Sequence, residues 1–488
     1  MPNACTSLRR RLMAVGLAAS ALAWAAPAHA LPLFARQTGQ ACAACHAGGQ
    51  FPELTPFGRY FKLTGYTLGT RTLPLSVMAV ASASHVADTS KSDNPKDDFD
   101  KNNDALIATV SAFAGGKLTE HVGGFAQLTY DPYATRDEGG RYHGHTQADN
   151  IDLRWAGQVS LGGHALIVGS SLNNNPSLSD PWNTVPAWMQ YVPVPSPGSS
   201  RFIDGNTPYP GHAVGGNVAG LTVYTLVDDT LYAELGGYTT AQGPLRLLRA
   251  GVAAADVTRL RGLAPYVRLA WTPNWGDHHL MLGLSGMQAR VYDNPLDTSD
   301  PANTHHITDW HLDSQYQWLS DPHAVTAQLV YSHTRHRYPA ALAGLAVGFV
   351  DAQGAALPLT SAADTTRLLR ARLSYAHLAQ VGGSVSLFDL RGSANTALQT
   401  AGYDPVTGSI TSDPEALAPS VRVDGDLSGR PDTRGRTLEL FWLPLQELRL
   451  GVQYTAYQRF NGARHNYDGF GRNAADNNST FVYAWLAY

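Results

Sequence analysis

Cysteine is nearly absent. The 488 residues hold three, at positions 5, 42 and 45, so no disulfide framework holds this chain together. Charge is sparse as well. Asp, Glu, Lys and Arg make up 15% of the residues, which argues against long disordered stretches. No basic excess is present, since the formal net charge is −4 and a nucleic-acid binder needs the opposite balance. After residue 30 no apolar run is long enough for a membrane-spanning helix. No repeat of fixed length is visible either, which weakens a propeller. Methionine is scarce at six, while glycine is plentiful at 47, alongside 22 Tyr and 10 Trp. That mixture suits an all-β protein with many turns.

Positions 1–30 read as a secretory signal. Arg9, Arg10 and Arg11 are followed by an apolar stretch from Leu12 to Ala26, and Ala28-His29-Ala30 is an A-x-A site with cleavage expected after Ala30. An N-terminal anchor helix is the alternative, weakened by the shortness of the run. Removing the segment leaves 32 basic and 39 acidic residues, or −7.

Cleavage also removes Cys5, so only Cys42-Ala43-Ala44-Cys45-His46 carries thiols. Cys-x-x-Cys-His is the attachment pattern of c-type haem, in which two thiols bond the vinyl groups and the histidine faces the iron. A redox disulfide lacks a thioredoxin-like βαβ context here, and a zinc site lacks a second pair of ligands. One covalently attached haem c is expected, held by Cys42, Cys45 and His46. Residues 31–72 form the small helical segment around it. Thr55-Pro56 opens a helix as N-cap and first residue, Phe57, Tyr60 and Phe61 recur at helical spacing, and Gly65 closes it. The aromatic face is expected to cover the haem. About forty residues cannot enclose a haem alone, so the rest of the chain must complete the cover.

From Leu75 the texture changes to segments of about ten residues that alternate apolar and polar. Sixteen such segments are expected, at 75–87, 104–115, 121–131, 151–162, 164–173, 212–226, 231–240, 264–273, 278–292, 307–319, 323–336, 366–379, 383–392, 434–444, 447–459 and 477–488. Short connections alternate with long ones, among them 132–150 and 174–211. Short turns face the periplasm and long loops the outside in barrels of this kind. The expected fold is therefore all-β, a transmembrane antiparallel β-barrel over 73–488 with the helical segment plugging its lumen from the periplasmic side. A soluble β-sandwich is the rival.

Several side chains are candidates for the chemistry. The Ser-bearing face of the first strand is the lumen, so Met78 points inward, as a distal iron ligand or a haem contact. Met189, His143 and His145 are other candidates, and an open sixth site is a further one. His121, His164, His278, His279 and His323 begin strands at the short-turn edge. His305, His306, His311, His333 and His336 fall near the other mouth, where a cluster would suit a transition metal. Asp93, Asp97, Asp98, Asp100 and Asp104 lie in the first long loop, either as oxygen ligands for a hard divalent cation or, with two Lys interleaved, as a solvated, acid-biased stretch. Loop 174–211, with Asp180-Pro181-Trp182-Asn183-Thr184, either folds inward or packs on itself.

Phe34-Ala35-Arg36-Gln37-Thr38-Gly39, Cys42-x-x-Cys45-His46, Phe51-Pro52 and Phe57-Gly58-Arg59-x-Phe61-Lys62-x-x-Gly65-Tyr66 together resemble the head of the fused monohaem cytochrome c–porins, the outer-membrane iron(II) oxidases of iron-oxidising bacteria and their relatives. The stretch 173–188 resembles the barrel portion of the same family. The resemblance implies a haem plugging an outer-membrane barrel, near enough to the outer face to take an electron from Fe(II). It would take electrons from extracellular Fe(II) and pass them to a periplasmic c-type cytochrome. It carries over Cys42, Cys45 and His46, and no distal ligand. A conduit with another donor or acceptor, and a diffusion porin with a tethered cytochrome, are the alternatives. The −7 charge leads one to expect a basic partner.

Overall fold

In this computed structural model residues 33–50, 53–73, 75–91, 99, 101–137, 140–184, 215–249, 258–339, 362–394, 403–404, 409–410, 430–467 and 471–488 are described. The signal segment, Phe51-Pro52, Asp93, Asp97, Asp98, Asp100 and Met189 lie outside them.

Alternation of apolar and polar residues produces a wall of sixteen strands. They are β1 (Leu75–Val86), β2 (Ala105–Lys117), β3 (Val122–Arg136), β4 (Tyr142–Leu161), β5 (His164–Asn173), β6 (Val218–Val227), β7 (Leu231–Thr240) and β8 (Ala264–Trp271). Next come β9 (His278–Tyr292), β10 (Thr304–Ser320), β11 (His323–Arg337), β12 (Ala363–His377), β13 (Val381–Gly392), β14 (Thr433–Leu445), β15 (Leu448–Arg459) and β16 (Ser479–Ala487). Each pairs antiparallel with its chain neighbours, and the sheet closes where β1 meets β16, Met78 standing opposite Ala487 and Val86 opposite Ser479. Closure leaves no unpaired strand edge, the condition for backbone to cross a bilayer as strands.

The two faces differ sharply. Leu221, Leu235 and Leu440 are 60%, 61% and 68% exposed on the outside, while their neighbours Thr222, Glu234 and Glu439 are buried inside. Trp271, Trp275, Tyr375 and Trp442 stand exposed at the short-connection edge. An apolar outer band with aromatic residues at its border is the surface a lipid-facing barrel needs. On β16, Val482 and Leu486 face out, as does Tyr488 just beyond it, while Phe481, Tyr483 and Trp485 face in, as the alternation predicts.

One expected loop is strand instead. Residues 142–150 extend β4, and β3 runs on to Arg136, so the connection 132–150 shrinks to 137–141. Both faces of that extension are polar, from His143 to Gln147, so alternation of hydrophobicity does not mark it.

The helical segment lies inside the wall at the short-connection end. It comprises α1 (Leu33–Thr38), α2 (Cys42–Cys45) and α3 (Pro56–Leu63). Thr55 caps α3, its hydroxyl accepting from Gly58 N at 3.1 Å, and Pro56 follows at the first position. Gly65 ends the helix at φ +73°, a conformation that favours glycine. The segment shares the core of the barrel. Leu63 packs with Ile167, Trp182, Tyr224, Leu226 and Tyr232 of the lumen.

Candidate functional site: the Cys-x-x-Cys-His turn in the lumen

Cys42 and Cys45 sit one helical turn apart on α2, both half-exposed free thiols. The turn ends when His46 N donates back to Cys42 O at 2.9 Å, and His46 then pairs as a bridge with Leu54. Thr55 N donates to Cys45 O at 2.9 Å, and the Thr55 hydroxyl donates to Ala44 O. The first turn of α3 rests directly on the motif. A Cβ on Gly58 would collide with Cys45 O, so only glycine fits there. One threonine thus starts the helix and fastens it to the cysteine turn.

Two short connections and one strand of the wall surround this turn. Gln50 Nε2 donates to Gln446 O at 2.9 Å, Gly49 presses on Ala379 O, and the Phe441 ring lies beside Gly48. Gln446 also hydrogen-bonds the Cys42 thiol. The motif therefore occupies the mouth framed by the short connections.

Burial pushes the Cys45 thiol up to about 11 and the Cys42 thiol upward too. Desolvation lowers His46 to about 4, which leaves the imidazole neutral at neutral pH.

Three polar clusters hold the insert. Glu53, beside the motif, meets Arg372 at 2.7 Å, and Arg372 reaches Glu439 at 3.4 Å. Glu439 in turn accepts from Arg449 at 3.1 Å and from the Tyr483 hydroxyl at 2.6 Å. On the far wall Tyr66 OH and Arg154 Nε both donate to Asp152 Oδ2 at 2.7 Å, and Ser171 donates to Oδ1 at 2.7 Å. Between them Arg59 donates to Leu54 O at 2.7 Å and Gln317 Oε1 at 2.8 Å. Burial lowers Arg59 to about 9. Contacts to β2, β4, β6, β10 and β12 run around much of the circumference, including Lys117 N to Gln37 and Tyr224 OH to Leu63 O.

Loop 174–184 folds inward. Trp182 is buried against the edge of Tyr232, and Lys62 Nζ donates to Asp180 O at 2.9 Å. Asp180 shares Arg268 with Asp313, at 3.2 and 2.5 Å.

The aromatic face of α3 is divided. Phe61 and Tyr66 pack with Phe34, with ring centroids 4.9 and 5.4 Å away, while Phe57 is exposed. Met78 faces inward as the alternation predicts. Its buried neighbours are wall residues, Val80, Ala108, Phe481, Tyr483 and Trp485 among them. The insert comes near through Arg36, which donates to Leu75 O.

The histidines divide by position. His278 and His323 sit at the short-connection edge beside the Tyr316 and Tyr375 hydroxyls, at 2.7 and 2.8 Å. His143 pairs with Asp137 on the strand extension. His305 lies 2.7 Å from His336 and 2.8 Å from Asp293 at the long-loop end. His333 lies tilted against Trp310 on another face, with ring centroids 5.4 Å apart. Among the described residues no three His, Cys, Asp or Glu side chains are arranged to hold a metal ion.

Sequence reasoning missed the lumen charges that anchor the insert. Their available signal was charge at every second position, as at Asp152 and Arg154 or at Asp309, His311 and Asp313.

No protein-family model matches the chain, and no curated protein does. Solved outer-membrane proteins are similar in outline. The high-pH structure of OprB from Pseudomonas putida is 11% identical at a TM-score of 0.47, covering 88% of this chain and 96% of that one. OmpF of Salmonella typhi in complex with daunomycin is 11% identical at 0.44, covering 85% and 97%. The outer-membrane channel DcaP of Acinetobacter baumannii is 11% identical at 0.42, covering 85% and 96%. The barrel assignment rests on this chain's own strand pairing, to which these likenesses add no weight.

Proposed function

We propose that this chain is an outer-membrane electron conduit that takes single electrons from extracellular Fe(II) and delivers them to a periplasmic c-type cytochrome. The observation that carries it is the Cys42-Cys45-His46 turn, set on an insert packed inside a closed barrel. The donor set fits one c-type haem: two free thiols one turn apart and a neutral imidazole next to them. When bound, that group supplies a one-electron carrier. Oxidation of one Fe(II) releases one electron, and the periplasmic acceptor takes it up, so no proton-transfer residue is required.

The chain's own residues would hold and orient the carrier. Thr55 and Gly58 fix the cysteine turn against α3, and Glu53 and Arg59 tie it to the wall. The apolar outer band would place the barrel in the outer membrane, with short connections toward the periplasm. The carrier would then sit within reach of a periplasmic partner, and the donor would approach down the lumen. Glu120, Asp228, Asp229, Asp277, Asp321 and Glu447 lie on the short connections, which favours a basic partner. The packed insert speaks against a diffusion porin with a tethered cytochrome.

The test is rapid mixing of the oxidised, haem-loaded protein with anaerobic Fe(II). The expected result is growth of the reduced haem bands with one Fe(III) formed per haem. No reduction by Fe(II), while dithionite still reduces the haem, would overturn the Fe(II) reading. Cys42→Ser and Cys45→Ser should each reduce covalent attachment and abolish electron transfer while the barrel keeps its heat-modifiable gel migration. Normal electron transfer in either variant would sink the conduit altogether.

A further inference from the structure

Strand β10 carries Asp309, His311 and Asp313 at every second position, and all three are buried on the lumen face. His311 stands opposite Ser285 of β9 and Ser332 of β11. Ser332 Oγ lies 2.9 Å from His311 Nδ1, which orients the ring. The other ring nitrogen, Nε2, is buried without a hydrogen-bond partner. The same holds for Ser285 Oγ, on the facing residue, and for Asp313 Oδ1. Asp313 Oδ2 is used, accepting from Arg268 at 2.5 Å. Orphaned polar atoms are costly to bury, and here three fall on two adjoining strands.

We infer that these atoms mark a lumenal site for one divalent first-row transition-metal cation, with His311 Nε2 and Asp313 Oδ1 as its protein ligands and water completing the shell. Imidazole with carboxylate is a donor set that such ions accept. Same-face residues two apart on a strand stand about 7 Å apart at Cα, a span that two side chains with metal bonds of about 2.1 Å can close. Ser332 supplies the second-nitrogen contact that orients metal-binding histidines. Ser285 Oγ is placed to take a hydrogen bond from a coordinated water. The guanidinium of Arg268 is shared between the carboxylates of Asp180 and Asp313, and the Lys62 ammonium stands on the Asp180 side, where it donates to the backbone oxygen of Asp180. Two protein ligands make an exchangeable site, suited to an ion in passage.

β10 runs from the long-loop end to the short-connection end, where Gln317 touches Arg59 of the insert. Asp313 lies four residues before Gln317, about 13 Å along the strand. The site is thus between the outer mouth and the insert, where a cationic donor would pause. Naming that donor as Fe(II) rests on the proposed function; cation binding itself does not.

The probe is redox-silent Co(II), measured by equilibrium dialysis and calorimetry on the full chain in detergent. The wild type should bind one more Co(II) per chain than His311→Gln, and the affinity of that ion should fall at least tenfold in Asp313→Asn. His333→Gln, on a different face, should leave the count unchanged. Heat-modifiable migration checks that each variant is folded. Equal Co(II) binding by wild type and folded His311→Gln would overturn the site. Loss of the ion in His311→Gln would support it even where Fe(II) fails to reduce the haem, so failure of the site and failure of the conduit are told apart.

Discussion

The hydroxyl of Tyr66 donates to Asp152 Oδ2 over 2.7 Å and so ties the end of the helical insert to the barrel wall 86 positions further along the chain. Arg154 shares the same oxygen, and its guanidinium lies 5.8 Å from the Tyr66 ring. The insert ends here against a buried charge pair. Tyr66→Phe removes a hydrogen bond to a charged acceptor, worth about 1.5–3 kcal/mol. Amides of α3 should exchange roughly tenfold faster or more, while those of the β1–β16 seam stay unchanged.

Gly58→Ala drives a methyl group into the carbonyl oxygen of Cys45. Overpacking of this kind costs about 1–3 kcal/mol. The variant should show a loosened cysteine turn, measured as faster alkylation of Cys42 and Cys45 in the haem-free protein. Unchanged alkylation would mean that α3 does not brace the motif.

Lys62 carries the clearest pH dependence. Burial, followed by the nearby Arg154, lowers its ammonium from 10.5 to about 8. The folded state then binds fewer protons than the unfolded state between those two values. Stability of the insert should therefore rise with pH from about 8 to 10.5, by at most about 3 kcal/mol. Protease protection of the insert across that range would measure it, and Lys62→Met should flatten the profile.

Met78→Ala separates packing from ligation. Met78 lies in a cluster of wall side chains beside the seam. Truncation should cost about 2–5 kcal/mol of seam stability and leave the visible spectrum of the haem-loaded protein as it was. A shifted spectrum would make Met78 an iron ligand.

Strand positions were legible because lipid on one side and polar lumen on the other force a period of two. The segments 164–173, 231–240 and 278–292 coincide with β5, β7 and β9. The pattern failed at 142–150, where neither face is apolar. The helix opened by Thr55-Pro56 was readable because its cap is local. Cys42, Cys45 and His46 were readable as a motif, and the short-turn side of the barrel was expected for them, but their seat among the short connections was not. It depends on Gln446, Ala379 and Glu53 meeting across distant segments, through contacts that no local pattern encodes. The inward fold of loop 174–184 has the same origin, in the pairing of Asp180 with Arg268 and of Lys62 with the loop backbone.

The anchors of the insert have a consequence for biogenesis. The segment is made first, yet its partners come late: Asp152, Tyr224, Gln317, Arg372 and finally Gln446, which meets Gln50 across 396 positions. Contacts that distant form slowly, because the chain between them must be ordered first. Until then the cysteine turn stays open to any enzyme that modifies thiols. Closure of the β14–β15 hairpin, which carries Gln446, would end that interval, so the order of events during export, more than any single contact, sets how long the turn can be modified.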